Sequence, residues 1–207
     1  MKIGVLAVQG DFAAHQRMLA RLGVESVEVR RAADLKTIAG LIMPGGESTT
    51  MLKFLTEESL AEPIQAFARS GAPILGTCAG AILLAREVTG PAQPSLRLID
   101  ITVERNAYGR QVDSFVGEAE TELTGGSLEA VFIRAPRIRR LGQGVETLAR
   151  VGSEPVLVRE GNIMAATFHP ELGGDQRVHR LFVEIAQTNN HPLMETNNDE
   201  GLQVGRD

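Results

Sequence analysis

The N-terminal part of the chain alternates short apolar runs with helix-like patterns, and this constrains the fold more than any other feature. Lys2 to Val8 is an apolar run that reads as a strand. Phe12, Leu19 and Leu22 follow at helical spacing, after a capping residue at Asp11. Val24 to Val29 alternates as a strand does, and Gly40-Leu41-Ile42-Met43 is a third strand that stops at Pro44-Gly45-Gly46. Helical material runs through Leu55 and again from Ile64 to Ala68. Pro73 to Thr77 supplies a fourth strand, and Ala79 to Ala85 reads as a helix. Strands that alternate with helices build a parallel sheet covered on both faces. The near-continuous apolar character of these strands agrees, because neither face of such a strand meets water.

The second half changes character. Leu98 to Val103, Ser114 to Ala119, Ala130 to Ile133, Val145 to Val151, Pro155 to Arg159 and Ile163 to Phe168 all read as strands, with few helices between them. Glu160-Gly161-Asn162 has the composition of a hairpin turn, so antiparallel strands are expected to extend the sheet here. A last helix covers Arg177 to Ala186, with Val178, Leu181, Phe182 and Ile185 on one face. From Thr188 the chain turns polar and Asn-rich. The expectation is one domain over residues 1–187 and a weakly held tail over 188–207.

Composition narrows the function classes. The formal net charge is -5, so no basic field exists to hold a nucleic-acid backbone or an anionic membrane. Aromatic residues make up 4% with no Trp, which leaves little from which to build a base-stacking platform. There is a single Cys, at position 78, too few for an internal disulfide or a multi-cysteine zinc site. That usage fits a reducing compartment. The apolar run at the N-terminus is too short for a signal-peptide core or a membrane span, so a cytoplasmic protein is expected.

Three segments carry chemistry. Gly76-Thr77-Cys78-Ala79-Gly80 joins a strand to a helix, the setting of a nucleophile elbow with Cys in place of Ser. A lone cysteine is more often a small buried hydrophobe, but the flanking glycines and the strand-to-helix junction reverse those odds. Phe168-His169-Pro170-Glu171 follows the last strand. If the segment is extended, His169 and Glu171 point to the same side, and the carboxylate can orient the imidazole as a base for the thiol. Pro44-Gly45-Gly46-Glu47-Ser48-Thr49-Thr50 lies between a strand and a helix and can present backbone N–H groups to a negative oxygen, or simply form a turn capped by Ser48. It lacks the lysine and the spacing of a nucleotide-phosphate loop. His15 and His179 fall in helical patterns and His191 in the tail. With no metal-ligand spacing among them, all three are expected on the surface.

Together these residues resemble the class I, triad-type glutamine amidotransferases, and more closely the PdxT/SNO family, the glutaminase subunits of pyridoxal 5'-phosphate synthase. The resemblance runs from Ile3 to about Gln187. Besides the elbow and His169-Pro170-Glu171-Leu172 it rests on Gly4-Val5-Leu6-Ala7-Val8-Gln9-Gly10, Leu41 to Thr49, Arg105-Asn106-Ala107-Tyr108-Gly109-Arg110-Gln111 and Phe132-Ile133-Arg134-Ala135-Pro136. It implies a flavodoxin-like three-layer α/β/α fold and a catalytic triad of Cys78, His169 and Glu171. Gly46 and Ala79 would supply the oxyanion-hole N–H groups. Gly46, Glu47, Ser48, Arg105, Ile133 and Arg134 would bind glutamine. No metal or bound cofactor is implied. The implied partner is a separate (β/α)-barrel synthase subunit that uses the ammonia to make pyridoxal 5'-phosphate. A glutaminase of another pathway, a cysteine peptidase or DJ-1-like protein on a related sheet and an inactive interaction module are weaker alternatives. The Pro-Gly-Gly-Glu-Ser-Thr segment opposes the first, the late His-Pro-Glu the second, and the intact Cys78, His169 and Glu171 the third.

Overall fold

The computed structural model describes residues 1–106 and 114–189. Its elements, in chain order, are β1 (Lys2–Leu6), α1 (Phe12–Arg21), β2 (Glu25–Val29), a 3-10 turn (Ala32–Thr37), β3 (Gly40–Met43), α2 (Ser48–Glu57), α3 (Ala61–Arg69), β4 (Ile74–Thr77) and α4 (Ala79–Leu84). There follow β5 (Ala85–Thr89), β6 (Ile99–Glu104), β7 (Ser114–Thr121), β8 (Leu128–Ile133), β9 (Arg137–Leu141), β10 (Glu146–Val151), β11 (Glu154–Glu160), β12 (Ile163–Ala166) and α5 (Arg177–Thr188). Among the described residues, no helix is long and apolar enough to cross a membrane.

The main sheet has nine strands in the order β2-β1-β3-β4-β12-β11-β10-β7-β8. The first five run parallel, as the strand–helix alternation requires. The rest join antiparallel, beginning with the β11–β12 hairpin, where Glu160 pairs with Ile163 and Gly161 takes the positive φ of a tight turn. Alternate residues of each strand face opposite layers. Leu41, Met43, Ile74, Ile163 and Ala165 pack towards Met51 and Leu55 of α2, Ile64 of α3 and Leu83 of α4. Ile42, Leu75, Met164 and Ala166 pack on the other side with Leu19 of α1 and Val178, Phe182 and Ile185 of α5. The three-layer expectation is met. Asp11 caps α1 as expected, its side chain accepting from the Ala14 N–H at 3.2 Å.

One expectation is corrected. The strand over Leu98 to Val103 does not extend the main sheet. As β6 it pairs parallel with β5 and antiparallel with β9 in a separate three-stranded sheet. Its buried residues Ile99, Ile101 and Val103 join the core on the α2–α4 side. The expected tail, His191 and the segment from Ala107 to Gln111 lie outside the described residues, apart from Thr188 and Asn189 at the end of α5.

Candidate active site

The carboxyl ends of four strands that neighbour one another in the sheet, β1, β3, β4 and β12, converge on one rim. The segments leaving them are Gln9 to Asp11, Pro44 to Glu47, Cys78 and His169. Chain order reverses direction between β1 and β3, which is where open parallel sheets leave a crevice for ligands.

Cys78 sits between β4 and α4 with φ 48° and ψ -104°. A non-glycine residue held there stores on the order of 1–3 kcal/mol, so the surroundings must fix it. They do: the Cys78 N–H donates to the Ala166 carbonyl at 2.8 Å, and its own carbonyl accepts from Ile82 N–H at 3.2 Å. The glycines of the elbow are required by close approach. A Cβ on Gly80 would drive into the Met43 carbonyl oxygen, and one on Gly76 would lie 2.7 Å from the Gly80 backbone. The sharp turn leaves the thiol almost buried, with Sγ 3.9 Å from the Ile133 carbonyl oxygen. Ala79, the next residue, opens α4, so its N–H has no intrahelical partner and is free to meet an oxyanion.

His169 is anchored by its N–H donating to the Val131 carbonyl at 2.8 Å. Its Nδ1 lies 2.7 Å from Glu171 Oε1, and the ring sits beside Cys78 under Gly45. The contact with Glu171 was expected, but its geometry is different. The segment is a turn closed by Leu172 N–H to His169 C=O at 3.2 Å, not a continuation of β12. β12 has already ended at Ala166, and Pro170, which has no N–H to donate, sits inside this turn. Burial opposes charge on His169, but the hydrogen bonds and negative charge supplied by Cys78 and Glu171 outweigh it and push the pKa up to about 10. The imidazole is thus set to be cationic beside the sulfur.

The Gly45–Gly46 segment crosses the face of this pair. A Cβ on Gly45 would collide with the His169 ring and lie 3.4 Å from Cys78 Cβ. The Gly45 carbonyl accepts from Asp11 N–H at 3.3 Å, and the Glu47 N–H donates to Gln9 Oε1 at 2.9 Å. Glu47, and not Ser48, caps α2: its carboxylate accepts from Thr49 N–H at 3.1 Å and from Thr50 N–H and Oγ1 at 2.7 Å. The Thr50 hydroxyl leads in lowering its pKa to about 2 against the effect of burial, with the two backbone donors adding to it. Arg105 reaches this same helix start, its Nη2 donating to Thr49 Oγ1 at 3.0 Å and lying 3.7 Å from Glu47 Oε1. Ser48 is buried and its hydroxyl meets Gln93 Oε1 at 3.2 Å. Ile133 lies beside Cys78 through its carbonyl, and Arg134 follows at a positive φ of 42°. Cys78, His169, Glu171, Gly46, Ala79 and Ile133 are therefore gathered on the rim, while Glu47 and Arg105 form an ion pair at the start of α2.

Two histidines expected on the surface are in the core. His15 and His179 are both 0% exposed, and His15 Nδ1 lies 2.9 Å from His179 Nε2. The signal was in the sequence: His15 falls on the apolar stripe Phe12, His15, Leu19, Leu22, and His179 sits beside Val178 one turn from Phe182 and Val183. Among the described residues, no group of three His, Cys, Asp or Glu side chains is arranged to hold a metal ion.

A strained cysteine at a strand-to-helix elbow, beside an imidazole that follows the neighbouring parallel strand, is an arrangement suited to thiol chemistry on an α/β/α sheet. Comparison with known proteins narrows the class. Residues 5–188 match the model of the SNO glutamine amidotransferase family. The chain is 53% identical over 190 residues to the pyridoxal 5'-phosphate synthase subunit PdxT of Koribacter versatilis, covering 92% of this chain and 98% of that one. It is 54% identical over 185 residues to the subunit of the same name from Pelotomaculum thermopropionicum, covering 89% and 94%. A crystal structure of a glutamine amidotransferase superposes with a TM-score of 0.85 at 51% identity, covering 89% of this chain and 98% of that one. The chain belongs to the SNO glutamine amidotransferase family, and it is a glutamine-hydrolysing enzyme.

Proposed function

We propose that Cys78, His169 and Glu171 hydrolyse glutamine as a triad, and that the ammonia passes to a separate pyridoxal 5'-phosphate synthase subunit. The observation that carries the first part is the strained Cys78 beside a His169 whose Nδ1 is held by Glu171 at 2.7 Å. The Cys78 thiolate attacks the side-chain carboxamide carbon, and the carbonyl electrons move onto oxygen. The N–H groups of Gly46 and Ala79 receive that oxyanion. As the tetrahedral species collapses, the C–N bond breaks and His169 gives its proton to the departing ammonia. His169, now neutral, takes a proton from water, whose oxygen attacks the thioester. The C–S bond breaks, glutamate leaves and the thiolate returns. Glutamine's α-carboxylate and α-ammonium need charged partners, and Arg105 and Glu47 offer one of each sign, with Ser48, Ile133 and Arg134 completing the pocket.

The relatives are described as subunits of pyridoxal 5'-phosphate synthase, which implies a further subunit, and the reading extends to this chain through their identity. Residues 1–187 act as one cytoplasmic glutaminase domain. Two hydrogen bonds support gating by the partner: Asp11 N–H to Gly45 C=O and Glu47 N–H to Gln9 Oε1 join the segment after β1 to the Gly45–Gly46 peptide. A partner docked at Gln9–Gly10 would thereby set which way that peptide turns, and so whether an N–H faces the oxyanion. Each tenfold activation needs about 1.4 kcal/mol of differential binding. Glutamine hydrolysis is measured for the wild type and Cys78→Ala with increasing barrel subunit. The expected result is stimulation of the wild type and no turnover by the variant, with a glutamine-analogue electrophile labelling Cys78 alone. Turnover by Cys78→Ala removes the nucleophile assignment, and full activity unchanged by a bound subunit removes the gating.

A further inference from the structure

A single buried imidazole touches Glu171 of the proposed triad and the residue that precedes Cys78. His15, on α1, lies with Nε2 3.2 Å from Thr77 Oγ1 and 3.4 Å from Glu171 Oε2. Thr77 is the last residue of β4, immediately before the nucleophile. Glu171 is the carboxylate that holds His169 through its other oxygen at 2.7 Å, and its side chain is 0% exposed. The opposite nitrogen of His15 is backed by His179 of α5 at 2.9 Å. The mechanism above uses neither of these two histidines.

Their protonation follows from their surroundings. Burial, then the charges at His179 and His169, hold the pKa of His15 well below 6.5, and burial lowers that of His179 to about 4. Both rings are neutral, so each carries one N–H. Two arrangements of these protons are possible. In the first, His179 Nε2–H donates to His15 Nδ1, and His15 Nε2–H points at Thr77 and Glu171. In the second, both protons sit on the opposite nitrogens. That leaves the Nδ1–H of His179 as a buried donor with no partner among the described residues. It also turns the lone pair of His15 Nε2 onto a carboxylate. Both features are unfavourable, whereas the first arrangement leaves only an acceptor nitrogen unpartnered.

Glu171 Oε2 needs this neighbour. It is buried without an aligned hydrogen bond among the described residues, so the 3.4 Å approach of His15 is an off-axis electrostatic contact. It nonetheless brings an N–H towards a buried oxygen that would otherwise carry its charge unpaired. We propose that His15, backed by His179, is a positioning residue of the triad: its Nε2–H retains the Glu171 carboxylate in the place where Oε1 orients His169. The proposal rests on the triad reading given above.

Glutamine and asparagine separate the two ring nitrogens, since a Gln amide ends near the position of Nε2 and an Asn amide near that of Nδ1. The full chain, with its synthase subunit present, is assayed as wild type, His15→Gln, His15→Asn, Glu171→Gln and the double variant His15→Asn with Glu171→Gln. His15→Asn is expected to lower kcat about ten- to a hundredfold with little change in KM for glutamine, and His15→Gln to stay within about threefold of wild type. The double variant should be no slower than Glu171→Gln, because a residue that acts through Glu171 has nothing left to position. Additive losses in the double variant, or an Asn variant as active as the Gln variant, overturn the role of His15 while leaving the triad standing. Full activity of Glu171→Gln overturns the triad reading and this proposal with it. A measurement without any substitution decides independently of folding: the 15N shifts of the native imidazoles should show His15 protonated at Nε2, and protonation at Nδ1 overturns the proposal.

Discussion

His169 should titrate near pH 10 in the native protein, and Cys78→Ala should bring that value down. Burial by itself would lower the pKa of this ring, but hydrogen bonds to Cys78 and Glu171, with their charges, take it from 6.5 to about 10. At about 1.4 kcal/mol per pH unit the net preference for the imidazolium is of order 5 kcal/mol. The folded-state value lies above the unfolded one. This contribution to stability is therefore fully present below about pH 6.5 and is lost as pH rises through about 10. Cys78→Ala removes both the hydrogen bond and the charge on the sulfur side, leaving burial opposed only by Glu171. The assay is 15N NMR of the imidazoles from about pH 5 to about pH 11 in both proteins, beside the wild-type pH profile of kcat/KM. The alkaline limb of that profile should fall near pH 10, where the proton destined for ammonia is lost. A wild-type His169 that titrates below 6.5, or one whose titration is the same in Cys78→Ala, would refute the ion-pair argument.

Three further outcomes are expected. Arg105→Ala should raise KM for glutamine about ten- to a hundredfold with a smaller effect on kcat, since an ionic hydrogen bond is worth about 1.5–3 kcal/mol; unchanged KM removes Arg105 from the substrate pocket. Gly80→Ala should destabilise the fold by about 1–3 kcal/mol in urea unfolding, because its methyl group meets the Met43 carbonyl; wild-type stability would show that the elbow has slack. Deleting residues 190–207 should leave Tm and glutamine turnover unchanged, given how little apolar surface that polar stretch could bury, and a Tm lowered by several degrees would show that it packs on the core.

What could be read from the sequence follows what was buried. Strands β1, β3, β4 and β12 are covered on both faces and so are written as apolar runs. The elbow was legible because its glycines answer to backbone contacts that no other residue tolerates. Strands β5 and β9 escaped because charged pairs hold much of their sheet. Glu87 accepts from Thr102 at 2.8 Å, Arg86 and Arg140 pair with Asp100, and Arg139 pairs with Glu104. Such runs look like loops to a search for alternating hydrophobicity. The His169–Glu171 contact was foreseen although the turn that makes it was not, since a proline turn and an extended strand can bring the same two groups together. His15 and His179 were missed because a histidine in a helix was judged by its type, not by the apolar stripe it occupies.

The proposed nucleophile and its base follow strands that touch in space but are made far apart in time. β4 closes against β12 in parallel register, Thr77 opposite Ala166, so the Cys78 N–H finds its acceptor only when β12 has inserted. A nascent polypeptide that has emerged as far as α4 holds a thiol with neither imidazole nor the carbonyl that fixes the elbow. Parallel pairing of such separation is slow to form, and here it is also the step that creates activity. Glutamine turnover thus reports completion of the β4–β12 seam, and a chain stalled before β12 would occupy the cell without consuming its glutamine.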